Sequence, residues 1–111
     1  MESAKEALFQ IDSSLKDLGS QTPAQMRAFS QMLEAIEAPG KLDRKTKELI
    51  AVCLSIASKC HWCIALHVKN ALDSGATREE ILEASWVAVL MGGGPALMQI
   101  QLIQKALDDL A

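Results

Sequence analysis

Apolar residues along this chain recur three and four positions apart, and turn-forming residues divide them into helical stretches. Leu8, Ile11, Leu15 and Leu18 share one side of a helix predicted over residues 3–18, with Gly19 placed to end it. Thr22-Pro23 supplies a cap and a proline at the first helical position. It opens a second helix bearing Met26, Phe29, Met32, Leu33 and Ile36, which Pro39-Gly40 closes. Asp43 caps a third, whose predicted buried face is Leu49, Ile50, Cys53, Leu54 and Ile56. Periodicity does not say where that helix stops. No glycine or proline lies between Lys41 and Asp73, so one helix of about thirty residues is allowed.

Ser74-Gly75 reads as a glycine C-cap, and Thr77-Arg78-Glu79-Glu80 as a capping box opening the next helix. That helix finishes with Trp86-Val87-Ala88-Val89-Leu90-Met91, apolar on every side and therefore in need of cover on every side. Gly92-Gly93-Gly94-Pro95 breaks the chain. A last helix over residues 96–110 turns Leu97, Ile100, Ile103 and Leu107 to the core. No segment alternates with a period of two and no Asn-Gly or Asp-Gly hairpin signal occurs, so the fold class is all-α.

Composition sharpens this picture. The 111 residues make one domain, 1–111. They are 50% hydrophobic yet only 4% aromatic, so the core is aliphatic, and the surplus of apolar side chains points to a partner surface. A net charge of −3, with no basic stripe, argues against nucleic acid. Residues 1–10 carry Glu2 and Glu6 and lack the apolar run of a secretory signal. The longest apolar stretches, near 49–57 and 86–91, fall short of the ~20 residues that span a bilayer. The expectation is a soluble cytoplasmic protein without membrane contact, in a compartment where thiols stay reduced and a Cys-x-x-Cys is catalytic or metal-binding.

The dense chemistry lies in Cys60-His61-Trp62-Cys63-Ile64-Ala65-Leu66-His67, with Glu48 upstream. Helical spacing places Cys60, Cys63 and His67 on one face, the two cysteine Cα atoms roughly 5 Å apart, within reach of a disulfide. Only a thiolate attacks a peroxide or disulfide, and an unperturbed cysteine, with a pKa of about 8.5, is ~3% thiolate at pH 7. His67, one turn after Cys63, can take its proton. The helix N-terminus favours an anion on Cys60, whereas the i to i+4 histidine favours Cys63.

These positions resemble the AhpD-like (alkyl hydroperoxidase D-like) proteins of the carboxymuconolactone decarboxylase superfamily. The shared pattern is a glutamate, eleven residues, Cys-x-x-Cys, three residues and a histidine, here Glu48, Cys60, Cys63 and His67. The likeness covers residues 42–75 and continues less specifically into the Gly92–Pro95 break and the last helix. It implies a fold of about six helices with a break near Ser58 or Lys59 and Cys60 at the start of the fourth. It implies catalytic roles for Cys63 as attacking thiol, Cys60 as resolving thiol, and His67 and Glu48 as their proton relay. It further implies no bound cofactor, an outside dithiol such as a lipoyl group or a thioredoxin-like protein as reductant, and a small hydroperoxide or disulfide as substrate. Assembly would be a homo-hexamer, a trimer of dimers, with the cysteines in a cleft reached from a subunit interface. Some peroxidase members carry a second histidine just before the second cysteine. Here that position is Trp62, with His61 one residue earlier, which points to a slower peroxidase or a disulfide reductase.

Other readings compete. Zinc could take Cys60, Cys63, His67 and Glu48, but three ligands on one helical face surround an ion poorly, so no metal site is expected. A lactone decarboxylase would not need the thiol motif, and a non-enzymatic helical assembly module would need none of it. Cys53, amid Ile50, Leu54 and Ile56, reads as a core residue, and Trp62 and Trp86 as packing or interface residues.

Overall fold

The computed structural model describes residues 2–111, and among them the fold is all-α. Its elements are α1 (Ala4–Gln21), α2 (Pro23–Glu37), α3 (Arg44–Ala57), α4 (His61–Asp73) and α5 (Arg78–Leu110). Short polar side chains start them. Ser3 accepts from the Glu6 N–H, Asp43 from the Thr46 N–H, and Thr77 and Glu80 form the predicted capping box.

Gly19 does not stop α1, which runs on to Gln21. The turn is made instead by Thr22, whose hydroxyl donates to the Leu18 carbonyl at 2.8 Å rather than capping α2. The expected fifth and sixth helices both lie within α5, end to end, with the expected break between them at Gly93. Gly93, at φ 61° and ψ −146°, reverses the direction of α5 in a conformation that glycine tolerates. The reversal is sharp: Arg78 at one end donates to Asp108 near the other at 2.9 Å, whereas a straight helix of 33 residues would hold its ends roughly 50 Å apart. By length and composition alone α5 is apolar enough to cross a membrane, against the sequence expectation, but it doubles back into halves shorter than the ~20 residues a span requires.

α3, α4 and both halves of α5 pack on one another, α1 lies over α4, and α2 touches α1 and α3. The centre is aliphatic: Val52, Ile56, Ile64, Val68, Ile81, Ile103 and Leu107 are buried, each large side chain contributing about 1.5–3 kcal/mol. Two serines are buried with them, and both satisfy themselves within their own helix, Ser55 on the Val52 carbonyl and Ser85 on that of Ile81.

The outer faces differ from expectation. Ile50 and Leu54 point away from this core, because α3 is apolar on two sides and Val52 and Ile56 take the inward one. α2 buries no residue, and Phe29, Met32, Leu33 and Ile36 remain exposed. In α5, Leu90 and Met91 are 80% and 90% exposed, so the cover that residues 86–91 require is not supplied by this chain.

Candidate active site

The site begins at a joint between two helices. α3 ends at Ala57, and the Lys59 N–H bonds the Ile56 carbonyl at 3.1 Å while the Cys60 N–H bonds that of Ser55 at 3.4 Å. This is a Schellman closure with Lys59 at φ 55°, the left-handed position normally given to glycine. Gly75, at φ 93°, closes α4 in the same way. The break near Ser58 and Lys59 is therefore present, made without the glycine that would have announced it.

Cys60 is not in the first turn of α4 but caps it. Its backbone is extended, and its sulfur accepts from the Cys63 N–H at 3.2 Å. Cys60 and Cys63 are joined as a disulfide, their Cα atoms 5.2 Å apart, close to the separation that spacing predicts. Both sulfurs thus lie at the positive end of α4. A helix terminus is worth about 0.3–1 kcal/mol to an anion, less than the ~1.4 kcal/mol of one pK unit.

The acid–base partner comes from the packing of α3 on α4. Glu48, which could have been a solvated charge in Lys45-Thr46-Lys47-Glu48, is 1% exposed, and its Oε2 lies 3.0 Å from His67 Nδ1. With the carboxylate accepting from Nδ1–H, the imidazole is held in one tautomer and Nε2 is left as its acceptor. His67 itself is part-buried, one helical turn after Cys63. The structure thus joins Cys60 to Cys63 at the start of α4, and Glu48 near the start of α3 to His67 in the middle of α4.

Next to this pair is a cavity of about 410 Å³ walled by Leu33, Ile36, Ile50 and Leu54, with Glu48 and His67 at its polar side. Neither cysteine lines it. Glu37, the last residue of α2, does, and sequence reasoning missed it. Burial, and then a hydrogen bond to Glu48, push its carboxyl above the usual glutamate range, against the opposing pull of Arg44 and His67. In the sequence it sits near Glu34 on an amphipathic helix and reads as a solvated charge.

The remaining candidates stand aside. His61 Nε2 lies 3.3 Å from Glu2 Oε2, and Trp62 Nε1 donates to Gln10 Oε1 at 2.9 Å, so both rings are held by the start of the chain and α1. Cys53 is a free, partly buried thiol whose pKa burial pushes up. Among the described residues no three His, Cys, Asp or Glu side chains gather as a metal site.

Residues 23–104 match the carboxymuconolactone decarboxylase family. The chain belongs to that family, as an AhpD-like member. A crystal structure of a family member from Legionella pneumophila superposes with a TM-score of 0.91 at 36% identity, covering 97% of each chain. An uncharacterised protein of the cox locus of Paracoccus denitrificans is 42% identical over 75% of each chain. The alkyl hydroperoxide reductase AhpD of Mycobacteroides abscessus is 34% identical over 55% of this chain, a match that spans only 34% of that longer protein. A nitrosuccinic acid decarboxylase of Metarhizium robertsii is 33% identical over 67% of this chain and 52% of its own length. Peroxide-reducing and decarboxylating relatives thus share this scaffold.

Proposed function

We propose that the chain is a thiol-dependent oxidoreductase that reduces small hydroperoxides or disulfides through Cys60 and Cys63. The observation that carries this reading is a disulfide at the start of α4 with a buried Glu48–His67 pair one turn further along. His67 takes the proton of the Cys63 thiol, and Glu48 holds the ring that receives it. The Cys63 thiolate attacks one oxygen of the hydroperoxide and the O–O bond breaks. Cys63 becomes a sulfenic acid, and the proton on His67 passes to the leaving alkoxide, giving an alcohol. The Cys60 thiol then attacks the Cys63 sulfur, releasing water and forming the disulfide. An outside dithiol, a lipoyl group or a thioredoxin-like protein, restores both thiols by two exchange steps and is itself oxidised. No bound cofactor takes part.

Self-association belongs to this reading, as a hexamer built as a trimer of dimers with the site in a cleft beside a subunit boundary. The uncovered apolar faces of α2, α3 and α5 support it. The proposed location is the cytoplasm, where thiols are held reduced. Neither nucleic acid nor a membrane is a proposed partner.

Intact mass and free-thiol counts before and after a stoichiometric alkyl hydroperoxide test the reading. The wild type should promptly lose the Cys60 and Cys63 thiols to a disulfide that dihydrolipoamide reopens, and Cys63→Ser should not form it. Thiols that survive peroxide but exchange with small disulfides would leave only the reductase half. A Cys63→Ser variant with full activity on a γ-lactone acid would move the protein to the decarboxylases.

A further inference from the structure

A second, larger cavity, of about 610 Å³, opens between α3 and the bend of α5. Its walls include Cys53 and Ile56 of α3 and Val87, Met91 and Pro95 of α5, and none of the candidate catalytic residues lines it. Among the described residues that do, only Lys59 is charged. An apolar cavity of about 150 Å³ takes benzene, so this one has room for an aliphatic chain. Apolar walls with a single convergent polar group are the ordinary make-up of a small-molecule site.

Lys59 is a costly residue to keep at the mouth. It holds φ 55°, where a side chain loses stability that glycine would not. Glycine would close α3 without strain, but it would bring no charge to the cavity. No carboxylate of the described residues pairs with the Lys59 ammonium. Strained backbone of this kind concentrates at ligand sites and switches. An unpaired cation at the edge of an apolar cavity is complementary to a ligand with an apolar body and one negative charge.

We propose that this cavity binds a free medium-chain fatty carboxylate, with the aliphatic chain between α3 and the bend of α5 and the carboxylate on the Lys59 ammonium. Each methylene that enters the cavity strengthens binding, and the exposed ion pair at the mouth selects the sign of the head group. The site is separate from the disulfide and does not depend on the thiol cycle.

Cys53 reports occupancy, because with Cys60 and Cys63 joined it is the free thiol, and it lines the cavity. Its alkylation by N-ethylmaleimide in the oxidised protein, at mildly alkaline pH, should slow as decanoate is added below the concentration at which micelles form. The half-protecting concentration should fall about fourfold for each methylene added from octanoate to dodecanoate. Lys59→Gln should raise it by about two- to fivefold, and Lys59→Arg should leave it unchanged. Decylammonium, with the same chain and the opposite charge, should protect less well than decanoate. Decanoate that does not protect, equal protection by decylammonium, or an unaltered Lys59→Gln would each overturn the proposal. So would a Cys53 thiol that is shielded without ligand and becomes reactive on dilution, since a second copy of the chain would then fill the cavity. Should Lys59→Gln not fold, the comparison of decanoate with decylammonium on the wild type decides.

Discussion

Glu48 and His67 are 19 residues apart in the chain and 3.0 Å apart in space, because the start of α3 packs against the middle of α4. The contact is between a buried carboxylate and a ring with a partly open side. Glu48→Gln should therefore leave the fold in place while removing the charge that holds Nδ1–H. Cys63 oxidation by hydroperoxide should slow by about 100-fold or more, the scale of a lost acid–base contribution. Stopped-flow tryptophan fluorescence measures this, since Trp62 adjoins Cys63. A rate within a factor of two of wild type would remove Glu48 from the relay.

Lys59 holds a left-handed conformation at φ 55° to close α3. Such a conformation costs a side-chain-bearing residue roughly 1–2 kcal/mol that glycine does not lose. Lys59→Gly should raise the unfolding free energy by up to ~1 kcal/mol, part of the gain being offset by glycine's freedom in the unfolded chain. Urea denaturation with an unchanged slope reads this. A loss of stability would mean that the Lys59 side chain supplies something besides its backbone.

Acid and base should act on different carboxyls. Asp43 is held below its usual 3.8, first by its hydrogen bonds to Thr46, and Glu80 below its usual 4.5, first by Lys45 and then by the Thr77 N–H. Depressed carboxyls lend stability above their unfolded values and lose it as pH falls through the folded ones, so the starts of α3 and α5 should weaken below about pH 4. Glu37 has the opposite sign. Its raised carboxyl lends stability that is complete below 4.5 and declines as pH climbs through the higher folded value. Glu37→Gln should flatten the stability profile above pH 4.5, and leave the acid limb unaltered, in thermal melts across pH 3–8.

Leu90 and Met91 stand almost fully in solvent on one chain. If self-association covers them, a Leu90→Lys, Met91→Glu double variant should reduce the sedimenting species toward the 12.0 kDa monomer while helical content is retained. A wild type that already sediments as a monomer would remove the oligomer from the proposal.

What the sequence made legible follows from how locally each feature is determined. The caps at Asp43 and Thr77 and the glycine stop at Gly75 each depend on residues within one turn, and all are present. Gly19 failed as a stop because glycine permits a helix end without requiring one. The end of α3 was hidden because Lys59 does a glycine's work. Ile50 and Leu54 were assigned to the core because a helix apolar on two sides gives no local sign of which side faces in. In the site, the cysteine pair and His67 recur at helical spacing over about two turns and could be read directly. Glu48 was reached only through a resemblance, and Glu37 not at all, since a carboxyl's burial is decided by helices remote in sequence.

Cys60 closes one helix with its N–H and opens the next with its sulfur. When that sulfur is bonded to Cys63, the cap of α4 is clamped to the first turn of the same helix by a covalent link. When the link is reduced, only hydrogen bonds hold the cap. In the thiol cycle proposed above, the oxidised chain thus has a covalently stapled α4 cap, and the reduced chain a cap held by hydrogen bonds to the Ser55 carbonyl on one side and from the Cys63 N–H on the other.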